Sequence, residues 1–345
     1  MNRPTTVSVV IPVYNEEERI AESLATLDEA FAQRSDLDVD LLIVNDGSVD
    51  HSLSVCERIA PSLRHAVTLL THDINQGLGG ALRTGIAQST GAMVVVLDSD
   101  LSYGLDDIMA IIDEQLRTHA HVVIASPYMP GGKSIAVPPA LERRSRMANA
   151  ILSWAAIGKV YTLTGMVRAY DGEHIRAMSL KAVDVDINSE IVYKTQLLRG
   201  SIVEVPATLN WSTMADRAGR SSLLSRRSRW NTAKSLVNAF LFRPFLFPLL
   251  PLPFLLVMAF VAMAFGGGMG VTVGVNILLF GGFLALFSVM MLQLKRYFEE
   301  LFSVLTRQGR VIDHPRHARL VIATEAGVAE RTRAAGDPEG QNKVS

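Results

Sequence analysis

Short apolar runs alternate with longer amphipathic stretches through the first part of the chain. Val7–Pro12, Leu41–Val44, Val67–Leu70, Met93–Leu97 and His121–Ala125 have the length and β-branched content of strands. Between them, Glu16–Phe31, Asp50–Ile59, Gly80–Ala87 and Leu105–Leu116 carry helical spacing. This alternation predicts an α/β fold with a largely parallel sheet, because parallel neighbours need a crossover and a helix supplies it. Continuous rather than alternating apolar runs fit strands covered on both faces. The rhythm changes after Pro127. Pro130-Gly131-Gly132 and Pro138-Pro139 predict a loop, followed by a helix over Leu141–Ile157 and a strand pair around Tyr161–Tyr170. A helix near Asn188–Leu198 and a strand over Ile202–Val205 complete this part.

From Pro244 to Leu294 there is no charged residue. As one helix that stretch would be roughly 75 Å long against a hydrocarbon core of about 30 Å, so two crossings are expected. They are read as Pro244–Phe265 and Val271–Gln293, with Gly266–Gly270 as the turn. Arg226, Arg227, Arg229, Lys234 and Arg243 precede the pair, and Lys295, Arg296, Arg307 and Arg310 follow it. Basic flanks at both ends predict a multi-pass protein of the cell membrane with both termini cytoplasmic. A helical hairpin buried in a soluble core is the alternative. Residues 221–243 and 294–308 each place apolar side chains on one helical stripe, as expected for helices at a membrane surface or packed on protein. The organisation expected is thus a catalytic domain over 1–220, an amphipathic helix over 221–243, two spans within 244–293, an interfacial helix over 294–308 and a mobile cytoplasmic tail over 309–345. The N-terminus runs straight into a strand with no signal-peptide core, so the catalytic part is expected to stay in the cytoplasm. The formal net charge of −1 argues against a nucleic-acid binder, and the single cysteine, Cys56, excludes a disulfide framework.

The chemistry concentrates where the strands end. Asp98-Ser99-Asp100 follows the run Ala92–Leu97, and alternation along a strand would put both carboxylates on one face. Two carboxylates at a strand tip suit Mg²⁺ or Mn²⁺, which take one or two protein carboxylates and complete their shell with diphosphate oxygens. Capping of the next turn or helix is the bland alternative. Tyr14, Asn15 and Glu16 after the first strand, and Asp46 after the second, belong to the same edge. A dinucleotide-binding fold is disfavoured: Val13-Tyr14-Asn15-Glu16-Glu17 has no glycine, and Gly77-Leu78-Gly79-Gly80 is followed by Leu82 where the fingerprint needs glycine.

Ile11-Pro12-Val13-Tyr14-Asn15-Glu16, Val44-Asn45-Asp46-Gly47-Ser48, Asn75-Gln76-Gly77 and Asp98-Ser99-Asp100-Leu101-Ser102 together resemble the family 2 glycosyltransferases of GT-A fold. The likeness is to their polyprenyl-phosphate branch, which includes the dolichol-phosphate mannose synthases, and covers roughly Val7 to Leu305. It implies inverting transfer of a sugar from a UDP- or GDP-sugar to a polyprenyl phosphate. Pro12, Tyr14 and Glu16 would line the nucleotide pocket, and Val44 and Asp46 would contact the base. Asp98, Ser99 and Ser102 would lie along ribose and diphosphate, with Asp100 as principal metal ligand. Asp46 can accept from a base N–H; as part of Asn-Asp-Gly-Ser it could equally be a turn residue. Glu190 aligns loosely with a carboxylate that serves as base in other members, against the alternative of a structural helix acid. Arg168 and Arg217 match arginines expected to hold phosphate. Membrane-anchored members often form homo-oligomers.

Two departures stand out. Ser126-Pro127-Tyr128 lacks the arginine of the family's Ser-Arg-Tyr string, for which Arg143, Arg144 or Arg146 could substitute. Tyr161-Thr162-Leu163 lacks the aspartate that commonly precedes the Arg168 strand. Alternatives kept open are another lipid acceptor, a processive polysaccharide synthase suggested by Arg226-Arg227-Ser228-Arg229-Trp230, and a non-catalytic sugar-nucleotide binder.

Overall fold

The computed structural model describes residues 3–139, six positions between 142 and 149, 160–211, 251–308 and 318–324. The alternation is realised as β1 (Thr5–Val13), α1 (Ile20–Ala32), β2 (Leu37–Asn45), α2 (Ser52–Ile59), β3 (Ala66–His72), α3 (Leu78–Gln88), β4 (Met93–Val96), α4 (Leu105–Thr118) and β5 (Val122–Ser126). There follow β6 (Lys133–Ile135), β7 (Arg168–Asp171), α5 (Gly172–Arg176), α6 (Ile187–Leu197), β8 (Ile202–Pro206) and β9 (Thr208–Asn210). The last elements are α7 (Leu252–Phe265), α8 (Gly267–Gln308) and β10 (Ala318–Thr324).

One eight-stranded sheet has the order β10-β3-β2-β1-β4-β7-β5-β8. β1 pairs in parallel with β2 and β4, and β2 with β3, so these strands deliver their carboxyl ends to one edge. The order reverses at β1, which opens a crevice between the loops after β1, β2 and β4. β7 runs antiparallel to both β4 and β5. Alternate residues of the central strands, including Val9, Ile11 and Ile43, pack against Leu24, Leu27 and Phe31 of α1 and Ile108, Ile111 and Ile112 of α4. Val44 and Leu70 face the other way and pack with Ala81 of α3. Both faces are therefore covered, as the continuous apolar runs require.

Several expectations change. Within the tail expected to be mobile, Ala318–Thr324 forms β10, antiparallel to β3, with Leu320 opposite Leu70 and Thr324 Oγ1 accepting from the Val67 N–H at 3.0 Å. A bare β3 edge would leave a row of unpaired backbone groups, and Leu320-Val321-Ile322 is a short apolar run able to cover it. Of the strand pair expected at 161–170, only Arg168–Asp171 is strand. Tyr161–Thr164 is instead a loop stapled by Glu204, which accepts from the N–H groups of Tyr161 and Thr162 at 2.7 and 2.8 Å, and by Asn149. Lys133–Ile135 pairs in parallel with β9 where the sequence indicated loop.

The chain divides into two compact units, and the second holds α7 and α8. These helices pack antiparallel: Gly270 lies against Ala262, Gly274 against Met263 and the Ala259 carbonyl, and Gly281 against Leu252. A Cβ on Gly274 would fall 2.3 Å from Met263, so this close approach depends on glycine. Phe254, Phe260, Phe283 and Leu286 point outward, exposed. Within α8, Gly267–Lys295 spans 29 residues, with a mean hydropathy of 2.3 over an 18-residue window, and is the one helix among the described residues long and apolar enough to cross a membrane. α7 has 14 residues, and the remainder of the first expected span lies outside the described residues, as does the helix expected over 221–243. The turn is shorter than expected, since Gly267–Gly270 already belong to α8, and the helix expected separately over 294–308 is a continuation of α8.

At the start of β5 the rings of His121 and His174 meet edge to face at 4.5 Å, with His174 Nε2 3.1 Å from Thr195 Oγ1. Burial, then the neighbouring His121, push His174 from 6.5 down to about 4. The unfolded chain therefore binds this proton more readily, and stability is lost as pH falls from 6.5 through about 4. Thermal unfolding across that window is expected to show a shallower loss of Tm in His174→Asn than in the native chain.

Candidate active site

The loops after β1 and β2 are latched together. The Asn15 N–H donates to Ser48 Oγ at 3.1 Å, and Asn15 Oδ1 accepts from the Val49 N–H at 2.9 Å. The Glu16 N–H donates to Ser52 Oγ at 2.7 Å, and the His51 N–H to Glu17 Oε2 at 2.7 Å. Asn15 holds φ +57°, a conformation asparagine tolerates better than most residues. The latch leaves Tyr14 46% exposed and Glu16 buried. Pro12 and Val44 are register partners in β1 and β2 and both are buried. The Val44 side chain packs with Leu70 and Ala81, so it is core, and the base contact implied for it is not one this side chain can make.

Asp46 extends the β1–β2 ladder, its N–H donating to the Val13 carbonyl at 2.8 Å. Its Oδ1 lies 2.7 Å from His72 Nδ1 and accepts the Gln76 N–H at 2.9 Å. His72 Nε2 in turn lies 2.9 Å from Thr84 Oγ1 on α3. Asn75 Nδ2 donates to the Asp46 carbonyl at 3.2 Å. Asp46 is thus a fixed group at the crevice, and the Asn75-Gln76 string serves to hold it.

β4 stops at Val96, so the acidic pair stands on the turn after the strand and strand alternation does not orient it. Leu101 at φ +49° tightens the turn. Ser102 gathers the two carboxylates: its Oγ donates to Asp98 Oδ2 at 3.1 Å and its N–H to Asp100 Oδ1 at 3.1 Å. Ser99, Asp100 and Ser102 are buried. Burial, reinforced by Asp100, pushes Asp98 up to about 7, and burial likewise raises Asp100 against the pull of Ser102 and Arg19. Two close carboxylates that hold protons this tightly carry concentrated negative potential that a cation relieves. The oxygen-only donor set fits Mg²⁺ or Mn²⁺. Among the described residues no third His, Cys, Asp or Glu joins them.

The structure separates other expected site residues from this crevice. Arg168 is fully buried and donates to the carbonyls of Gly165, Asn188 and Leu163 at 2.8, 3.0 and 2.7 Å. Its guanidinium is spent on main chain, which corrects the phosphate-binding role expected of it. Glu190 is also buried, accepting from the Lys181 N–H at 3.0 Å and the Ala182 N–H at 2.8 Å and pairing with Lys194. It therefore anchors the 181–183 loop, and that loop seats the glycine-rich string: the Gly79 N–H donates to the Val183 carbonyl at 2.9 Å, and a Cβ on Gly79 would sit 2.4 Å from the Ala182 carbonyl oxygen. The structural alternative for Glu190 is the one the geometry favours. Glu190→Gln is expected to lower Tm by several degrees while retaining most turnover at low temperature; total loss of turnover in a folded variant would restore the base assignment. Arg217 lies outside the described residues.

Beside Pro127, Arg146 stacks over the Tyr128 ring at 5.1 Å while paired with Glu142. Sequence reasoning missed His72 and Arg19. His72 closes a buried strand at the same sheet edge as Asp46, a position that could have flagged it; Arg19 sits within the Asn15–Arg19 string.

A mixed, largely parallel sheet with an acidic turn at its switch point places the protein among GT-A-like α/β proteins. Mannosyl-3-phosphoglycerate synthase from Rubrobacter xylanophilus shares this fold with a TM-score of 0.50 at 16% identity, over 69% of this chain and 74% of that one. The chain belongs to glycosyl transferase family 2, whose sequence model matches residues 8–191. It is 26% identical over 205 residues to a dolichol-phosphate mannosyltransferase of Pyrococcus furiosus, spanning 59% of this chain and 56% of that protein. It is 30% identical to an undecaprenyl-phosphate mannosyltransferase of Micrococcus luteus, over 59% of this chain and 82% of that protein.

Proposed function

We propose that the protein transfers a sugar, with inversion at the anomeric carbon, from a nucleoside diphosphate sugar to a polyprenyl phosphate at the cytoplasmic face of a membrane. The observation that carries this is the Asp98–Asp100 pair gathered by Ser102 at the switch point of a family 2 domain. The names of the relatives, dolichol-phosphate and undecaprenyl-phosphate mannosyltransferase, support the acceptor class. Asp98 and Asp100 would hold Mg²⁺ or Mn²⁺, and the bound ion would offset charge on the departing diphosphate. Tyr14 and Asp46 would take the nucleobase, and Ser99 would face the ribose and diphosphate. An oxygen of the acceptor phosphate attacks the anomeric carbon as the bond to the diphosphate breaks. That phosphate is already largely ionised, since such second ionisations fall near about pH 6, so no side chain needs to remove a proton. The engagement of Glu190 in its loop agrees with this, whereas a lipid hydroxyl acceptor would need a base.

Chain connectivity supports two spans. β8 precedes the apolar helices and β10 follows them, yet both belong to one sheet. A chain that starts and finishes on one side of a membrane crosses it an even number of times, so a crossing by α8 requires a second one, and the charge-free stretch 244–265 of the sequence is the proposed partner.

The test incubates detergent-purified protein with undecaprenyl phosphate, Mn²⁺ or Mg²⁺, and a panel of UDP- and GDP-sugars, scoring released nucleotide and glycolipid mass. One donor is expected to yield a glycosyl phospholipid; product on diacylglycerol but not on the polyprenyl phosphate would overturn the proposal.

A further inference from the structure

The surroundings of Asp46 distinguish between nucleobases. A carboxylate oxygen offers two acceptor directions. Asp46 Oδ1 meets two protein groups, His72 Nδ1 at 2.7 Å and the Gln76 N–H at 2.9 Å, so with Nδ1 as donor both directions are filled. Oδ2 receives no donor from the described residues. The ring assignment is self-consistent: Nδ1–H donates to Asp46 while Nε2 accepts the Thr84 hydroxyl at 2.9 Å, which satisfies a neutral imidazole completely. His72 and Thr84 are 2% and 1% exposed, so neither nitrogen has water as a substitute partner. The contacts to His72 and Gln76 hold the Asp46 side chain with Oδ1 turned to the protein, which leaves Oδ2 to face a ligand.

We propose that the donor is a uridine nucleotide sugar and that His72 is the positioning residue behind this choice. The inference rests on Asp46 facing the base, as proposed above. Uracil presents a single N–H between two carbonyls and needs one acceptor, which Oδ2 supplies. Guanine presents two adjacent N–H groups, N1–H and N2–H, whose spacing matches both oxygens of an open carboxylate. Here one of them would meet an oxygen already filled, and an unpaired donor in a buried site is costly. Adenine and cytosine present a ring nitrogen lone pair, which the carboxylate repels.

The experiment is calorimetric titration of the full chain in detergent with Mn²⁺ and either UDP or GDP. The native protein is expected to bind UDP at least about tenfold more tightly, the worth of one charged hydrogen bond. His72→Leu opens Oδ1 and should bring the UDP-to-GDP ratio toward one. His72→Asn, whose amide nitrogen stands where Nδ1 does, should restore the preference. A purely structural histidine would weaken both nucleotides alike and leave the ratio unmoved, which overturns the inference. Equal or tighter binding of GDP by the native protein overturns it without any variant, so failure of His72→Leu to fold does not shelter it. Asp46→Asn separates the two levels. If it leaves UDP affinity unchanged, Asp46 is not at the base and the underlying assignment falls too; if it weakens UDP while the native protein shows no preference, the inference on base choice alone falls.

Discussion

Asp100→Asn is expected to reduce glycolipid formation by about a thousandfold, the scale on which removing a group that stabilises developing charge acts. The substitution keeps shape and leaves Oδ1 able to accept the Ser102 N–H, so the turn should survive. It removes the carboxylate that, after burial itself, raises the proton affinity of Asp98, which stands at about 7. An acid whose folded pKa is raised above its unfolded value costs stability as pH rises between the two, here from 3.8 to about 7. Relief of that cost predicts a Tm at pH 8, without added cation, equal to or above that of the native chain. Loss of turnover with unchanged or raised Tm is the signature of a site that gives up stability for function. More than about a tenth of native turnover would remove Asp100 from the centre of the reaction.

Arg168→Met carries the second large effect, on folding. Methionine roughly fills the space but leaves the carbonyls of Gly165, Leu163 and Asn188 without the donors they now have. Each buried acceptor left unmade costs about 1–3 kcal/mol, so a loss of about 3 kcal/mol or more is expected. For a domain of this size that lowers Tm by about 10 °C. Burial holds the guanidinium's pKa below its ordinary value, and the three carbonyls give it partners in place of water. The measurement that separates this role from phosphate binding is KM for the donor at a temperature where the variant is folded. An unchanged KM is expected; a KM raised tenfold or more would return Arg168 to the phosphates.

Arg168 also illustrates what the chain shows by itself and what it withholds. Its position in a strand was legible, because Val167-Arg168-Ala169-Tyr170 reads as β-structure, but an arginine looks the same in sequence whether it meets phosphate or three carbonyls. Glu190 posed the same ambiguity: a helix acid becomes a loop anchor only once Lys181 and Ala182 fold back to it. The tail misled for the opposite reason. Leu320-Val321-Ile322 is too short to stand out among charged neighbours, and the β3 edge that it covers is remote in the chain.

By itself the sequence determined the alternation of strands and helices, the apolar stretch, and the acidic and polar residues at the strand ends, because periodicity, charge and turn chemistry are local. Even there the reason differed from the result, since Asp98 and Asp100 are brought together by Ser102 on a turn and not by strand alternation. Only the tertiary structure decided which polar groups are spent. The Asp46–His72–Thr84 chain joins residues just after β2, on β3 and on α3, and the β3–β10 pairing joins residues up to 257 positions apart in the chain. Such contacts follow from how the sheet is ordered, and a carboxylate or a guanidinium acquires its task from the partners that order brings to it.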